Sequence, residues 1–262
     1  MYILSPLQVQ SSMINRRKFI KNGSLTGITL LGISGIVNAA MPSLKGSRPI
    51  KLMPNDKILF QGDSITDSGR DKDKEGFNDP AILGKGYAFL AAADLLHRNP
   101  TKTLQIFNKG ISGNKVYQLA ERWEKETIAL EPNILSILIG VNDYWHKHNG
   151  NYDGTVEVYQ QDFTNLLDMT KKQLPNVKLV ICEPFAVKGV KAVDDTWFPH
   201  FDAYRKAAFE IAEAYDAIFV PFQKVFDEAV KTAPGSYWTT DGVHPTLAGS
   251  KLMALAWQKA VK

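Results

Sequence analysis

Apolar residues along the chain fall into two alternating patterns. Short continuous runs, Lys57 to Phe60, Leu104 to Asn108, Ile134 to Ile139, Val177 to Cys182 and Ala217 to Pro221, end abruptly at glycine, proline or polar residues. Such runs read as strands buried on both faces of a sheet. Between them Val116, Leu119, Ala120, Trp123 and Thr127 recur at helical spacing, as do Val156, Tyr159, Phe163, Leu166, Leu167, Thr170 and Leu174. Another helix is expected from about His200 to Tyr215, with Tyr204, Ala207, Ala208, Ile211 and Tyr215 inward. A last one follows Pro245, with Leu247, Met253, Leu255 and Trp257 as core contacts. Alternation of this kind predicts an α/β fold: a five-stranded parallel sheet with helices on both faces, a three-layer α/β/α sandwich. If the strand order is 2-1-3-4-5, the chain switches direction between its first and third strands, and the loops after the first three strands share one crevice.

The N-terminal segment has a different pattern. Asn15 to Lys21 is charged, Asn22 to Ala40 is uncharged and rich in Leu, Ile, Gly and Ser, and small residues stand at Ala39 and Ala40. A charged start, a modest apolar stretch and small residues at its end are the marks of an export signal. The pair Arg16-Arg17 followed by Phe19 resembles a twin-arginine signal. The run is short and polar for a membrane span, so none is expected in the mature protein. Residues 1–40 are therefore expected as the signal, with Met13 an alternative start, 41–55 as a linker, and 56–262 as one domain. The expected location is periplasmic or extracellular.

At 262 residues and 44% hydrophobic the chain can bury one substantial core. The net charge of +4 owes much to Arg16, Arg17, Lys18, Lys21 and Lys45, so the domain itself is near neutral. No dense basic stripe interleaved with aromatics occurs, which argues against nucleic-acid binding. The one cysteine, Cys182, lies in a strand-like run and reads as a core residue.

Chemistry is concentrated in four polar loops. Gln61-Gly62-Asp63-Ser64-Ile65-Thr66 empties out of the first strand, which presents Ser64 at a strand end, while Asp63 and Thr66 can bond local amides. Asn108-Lys109-Gly110-Ile111-Ser112-Gly113-Asn114 follows the second strand, Gly140-Val141-Asn142-Asp143 the third, and Asp241-Gly242-Val243-His244-Pro245 precedes the last helix. A serine nucleophile needs a base that a third group orients, and Asp241, three positions before His244, can reach its ring in a single turn. An ester carbonyl under attack needs donors fixed in advance, and glycine lets an amide approach closely.

Taken in order, these blocks resemble those of the SGNH hydrolases, also called GDSL esterases and lipases, and in particular exported bacterial carbohydrate esterases of that family. The resemblance covers nearly all of the chain from about Lys57 onward. It implies a flavodoxin-like strand order, a nucleophile at Ser64, an acid and base at Asp241 and His244, and oxyanion donors at the amides of Ser64 and Gly113 and the side chain of Asn142. Asp63, Tyr144, Trp145 and Trp238 are expected against substrate, with Trp197 nearby in the loops. Asp143 is expected to hold its own loop.

No cofactor is expected. Gly62 to Thr66 lacks the second glycine of a Gly-x-Ser-x-Gly elbow, which disfavours an ordinary α/β-hydrolase, and no phosphate-binding Gly-Lys-Ser/Thr loop occurs. His146 and His148 read as solvated residues of a polar loop rather than metal ligands. The expected activity is carboxylic ester hydrolysis through an acyl-enzyme, with acetyl groups on a carbohydrate as the substrate the resemblance implies. Asp67 to Lys85 and Trp145 to Gly154 are polar, with no apolar lid for a long acyl chain. Two alternatives stay open: a lysophospholipase or thioesterase of the same fold, and an inactive exported protein that binds glycans.

Overall fold

The computed structural model describes residues 32–41 and 49–262. Most of the segment expected as an export signal, and residues 42–48 of the expected linker, lie outside them. In chain order the elements are α1 (Ile33–Ala40), β1 (Lys57–Gly62), α2 (Ser64–Asp67), α3 (Pro80–Leu83), α4 (Tyr87–Arg98), β2 (Gln105–Asn108), α5 (Val116–Glu126), β3 (Ile134–Leu138), α6 (Val141–His148), α7 (Val156–Gln173), β4 (Lys178–Cys182), α8 (His200–Ala214), β5 (Ile218–Val220), α9 (Phe222–Ala229), α10 (Gly235–Trp238) and α11 (Leu247–Trp257).

The five strands pair in the order β2-β1-β3-β4-β5, all parallel, as the apolar runs predict. β1 lies between β2 and β3, with Phe60 opposite both Asn108 and Ser136. The crevice therefore opens beyond Gly62, where the loops after β1, β2 and β3 leave the sheet. α1, α4, α9 and α11 pack together in one layer, and α5, α7 and α8 in the other.

Buried aromatics fill both layers, and the indole N–H groups of Trp257 and Trp123 find acceptors there. Phe60 sits 4.7 Å from the Trp257 ring and 5.7 Å from that of Tyr87, while Trp257 Nε1 donates to Ser136 Oγ at 2.9 Å. In the other layer Trp123 Nε1 donates to Thr170 Oγ1 at 2.8 Å. Helix starts follow local chemistry: Thr155 and Thr246 accept from Val158 and Gly249 and so cap α7 and α11.

Three expectations change. Ile50 pairs in parallel with Val261 and Leu52 is buried, so the stretch expected as a linker joins the domain before residue 55. These two apolar positions are hidden among Ser, Gly and Lys when composition is averaged. Leu247 is 75% exposed rather than a core contact, because burial along α11 starts only at Gly249. The polar stretch after Gly140 is partly the helix α6, since Asn142 and Asp143 are buried through hydrogen bonds rather than apolar contact. Within the segment expected as an export signal, Ile36, Val37 and Ala40 of α1 are buried, and Lys259 Nζ donates to the carbonyls of Val37 and Met41. No helix among the described residues is long and apolar enough to cross a membrane.

Candidate active site

Ser64 is half-buried as the first residue of α2, reached through a turn that only glycine allows. Gly62 has φ +153°, and a Cβ there would stand 2.2 Å from the Leu138 carbonyl oxygen. β1 can thus run close beside β3 and still turn outward at once. Asp63 caps the new helix, its Oδ1 accepting from the Ile65 amide at 3.0 Å. Thr66, expected to bond a local amide, instead meets the Tyr87 hydroxyl at 3.1 Å.

The final loop brings the base to the nucleophile across the whole sequence. Ser64 Oγ lies 2.8 Å from His244 Nε2, and His244 Nδ1 lies 2.7 Å from Asp241 Oδ2. Asp241 Oδ1 accepts from the amides of Val243 and His244, so one carboxylate shapes the loop and orients the ring. Burial alone would raise the Asp241 carboxyl. The hydrogen bonds from His244 and Val243 hold it below the ordinary value instead, so it is ionised. With Nδ1–H donating to Asp241, Nε2 is the acceptor for the serine proton.

The oxyanion loops are stitched to the nucleophile loop. Asp67 Oδ2 accepts from the Ser112 amide at 3.0 Å and its hydroxyl at 2.9 Å, and Arg70 Nε donates to the Gly110 carbonyl at 2.8 Å. Asn108 Nδ2 donates to the carbonyls of Thr66 and Leu83. Gly113 has φ +82°, a conformation that favours glycine, with open space where a Cβ would be. Asn142 Nδ2 spends one hydrogen on the Asn114 carbonyl at 3.2 Å and keeps the other. Asp143 Oδ1 accepts from the Val116 amide at 3.2 Å, so it ties α6 to the loop after β2 rather than holding only its own loop.

The structure therefore brings Ser64, Asp241 and His244 into contact and ties the loops of Gly113 and Asn142 to the one that carries Ser64. It separates the residues expected against substrate. Asp63 is 1% exposed, Tyr144 4% and Trp238 3%. Tyr144 packs between Trp197, Phe201 and Tyr204, its hydroxyl donating to the Trp197 carbonyl, and Trp238 Nε1 donates to Ala233. These residues are buried contacts rather than exposed surface. Trp145 alone of the set faces it, half-buried, with its ring centre 6.3 Å from that of His244. Asp67, Arg70 and Lys115 were not singled out from the sequence. The contacts by which they reach the other loops span 40 or more positions for the first two and 31 for the third, so nothing local marks that role. Among the described residues no group of three or more His, Cys, Asp or Glu is arranged to hold a metal ion.

Chemically, the arrangement suits acyl transfer. In such a transfer His244 would take the Ser64 proton as Oγ attacks a carbonyl, the Ser64 and Gly113 amides and Asn142 Nδ2 would be the donors for the oxyanion, and His244 would return the proton to the leaving oxygen. Water then repeats the sequence on the acyl-enzyme.

Comparison with known proteins agrees. An acetylxylan esterase of Geobacillus stearothermophilus is 34% identical over 214 residues, 81% of this chain and 96% of its own. The solved structure of Axe2, an acetylxylan esterase of the same organism, is 32% identical and superposes with a TM-score of 0.72 over 81% of this chain and 99% of its own. Catalytic mutants of that enzyme carry alanine at a serine, at an aspartate and at a histidine three positions after the aspartate. A candidate GDSL-like lipase from Parabacteroides merdae is 50% identical, with a TM-score of 0.80 over 81% of this chain and 98% of its own. Residues 60–252 match the model of the GDSL-like lipase/acylhydrolase family, and the chain belongs to that family of carboxylic ester hydrolases.

Proposed function

We propose that the protein is a serine esterase that removes acetyl groups from a carbohydrate outside the cytoplasm. The observation that carries the chemistry is the assembled relay from Ser64 Oγ through His244 to Asp241. The acetyl and carbohydrate part is supported by the 34% identity to an acetylxylan esterase and by the polar stretches around the crevice. The half-buried Trp145 beside His244 offers a flat apolar surface of the kind that suits the face of a sugar ring. Export is supported by the charged and apolar pattern of residues 15–40, with its paired arginines.

Acyl-chain dependence tests the substrate. A groove for a fatty chain gains about 0.8 kcal/mol per methylene, so a lysophospholipase or thioesterase improves steadily along a p-nitrophenyl series. For this protein kcat/KM is expected to be greatest on acetate and to fall beyond butyrate. A steady rise to octanoate would replace the deacetylase with the lipid or thioester reading.

A further inference from the structure

One turn of α6 carries three residues of one face past the oxyanion hole. Asn142 lies in its first turn, and Trp145 and His146, three and four positions on, share its face. They lean to opposite sides. Trp145 approaches the His244 ring, whereas His146 Nδ1 lies 3.1 Å from Lys115 Nζ, two residues beyond Gly113. The half-buried His146 ring thus lies beside the segment that carries Gly113, as the half-buried Trp145 lies beside the base.

The contact with Lys115 decides the state of that ring. An ammonium group has hydrogens to give and no lone pair, so Nδ1 is the acceptor and the ring proton sits on Nε2. Burial and the neighbouring Lys115 charge both lower the His146 pKa, which keeps the ring neutral. Lys115 is itself fixed: it is 7% exposed, with Nζ 5.5 Å and 5.2 Å from the ring centres of Tyr117 and Tyr152. Those two rings stack at 5.9 Å and 23°, and Tyr117 is 38% exposed. A cation held against two aromatic faces has little freedom to turn away from the imidazole. The result is a single N–H donor of set orientation, beside an apolar surface and next to the oxyanion donors.

We propose that His146, held as its Nε2–H tautomer by Lys115, is a specificity-determining residue that donates to an oxygen of the sugar bearing the acetyl ester, while the Tyr117–Tyr152 pair carries the adjoining sugar. The proposal rests on the carbohydrate-ester reading and adds the residues that recognise the alcohol side of the bond. A neutral imidazole suits that task, because sugar hydroxyls and ring oxygens are uncharged acceptors. The simple alcohol of p-nitrophenyl acetate has neither the oxygen nor the second ring.

The test is the ratio of kcat/KM on an acetylated xylooligosaccharide to kcat/KM on p-nitrophenyl acetate, measured for wild type, His146→Ala, His146→Gln and Tyr117→Ala. Loss of one directed hydrogen bond is expected to lower the ratio about tenfold in His146→Ala, and Gln, which keeps an N–H donor, is expected to recover most of it. Tyr117→Ala is expected to remove the advantage of an oligosaccharide over an acetylated monosaccharide. Equal losses on both esters, or an unchanged ratio, overturn the proposal while leaving the deacetylase reading intact. A wild type with no activity on any acetylated glycan overturns that reading and the proposal with it. Nitrogen NMR of the unaltered protein gives an independent check: His146 is expected in its Nε2–H form, with the Nε2 signal shifting when xylotriose is added. An Nδ1–H form, or no shift at saturating xylotriose, contradicts the assignment.

Discussion

Asp63 and Asp143 are buried carboxyls close enough for the charge of Asp143 to act on Asp63, one preceding Ser64 and the other following Asn142. Each spends Oδ1 on a backbone amide, that of Ile65 or Val116, and each leaves Oδ2 without a partner among the described residues. Burial raises Asp63 most; the Ile65 hydrogen bond opposes it and the charge of Asp143 adds to it, for a pKa of about 7. Asp143 is also raised to about 7, by burial first, against the Val116 hydrogen bond and the charge of Lys115.

That pair makes stability fall as pH rises. An unfolded chain loses these protons near 3.8, whereas the folded one keeps them to about 7, so the folded state binds more protons in between. The pair's contribution is complete below the lower value and declines through that interval. The loss comes to about 4 kcal/mol for each carboxyl, because each tenfold difference in proton affinity is worth about 1.4 kcal/mol. Asp63→Asn and Asp143→Asn keep an oxygen for the amide and remove the charge. Each is expected to flatten the decline in Tm between pH 5 and pH 8 relative to wild type. Melting curves that stay parallel to wild type across that range would show that neither carboxyl retains its proton.

Ser64 and His244 act as one unit, joined at 2.8 Å. Either residue changed to alanine is expected to remove nearly all turnover, and the double variant to be little worse than the single ones. Turnover lost as the product of the two single effects would mean that they act separately.

Asn142→Ala deletes a donor that matters chiefly once the carbonyl becomes an oxyanion. Removing one such donor costs about 10²- to 10³-fold in kcat. KM is expected to move little, since the ground-state carbonyl needs that hydrogen bond less. Kinetics in which only KM rises would make Asn142 a substrate-binding residue.

Strands and their loops were legible in the sequence because buried parallel strands are continuous apolar runs, and the ends of β1, β2 and β3 fall within a residue or two of the pattern. The long amphipathic helices α5, α7 and α8 were legible for the same reason, their stripes running unbroken for three turns or more. α6 was not: its inward positions include Asn142 and Asp143, whose burial depends on hydrogen bonds to Asn114 and Val116, and apolar periodicity does not register a buried polar group. Among the candidate site residues, Ser64, Asp241, His244, Gly113 and Asn142 stood out because their motifs are local. Tyr144 and Trp238 could not be sorted from Trp145, since an aromatic in a loop looks alike whether it faces the core or the crevice. The clamps Asp67–Ser112 and Lys115–His146 join distant segments and become visible only in three dimensions.

The most direct test of the account is where a fluorophosphonate probe attaches. Only a serine activated by a poised base reacts quickly, and in this protein that serine is Ser64, hydrogen-bonded to His244. Intact-protein mass spectrometry is expected to show a single adduct within minutes, mapped by fragmentation to Ser64 and nearly absent from His244→Ala. An unlabelled wild type, or an adduct on a different residue, would contradict the assignment of Ser64 as the nucleophile.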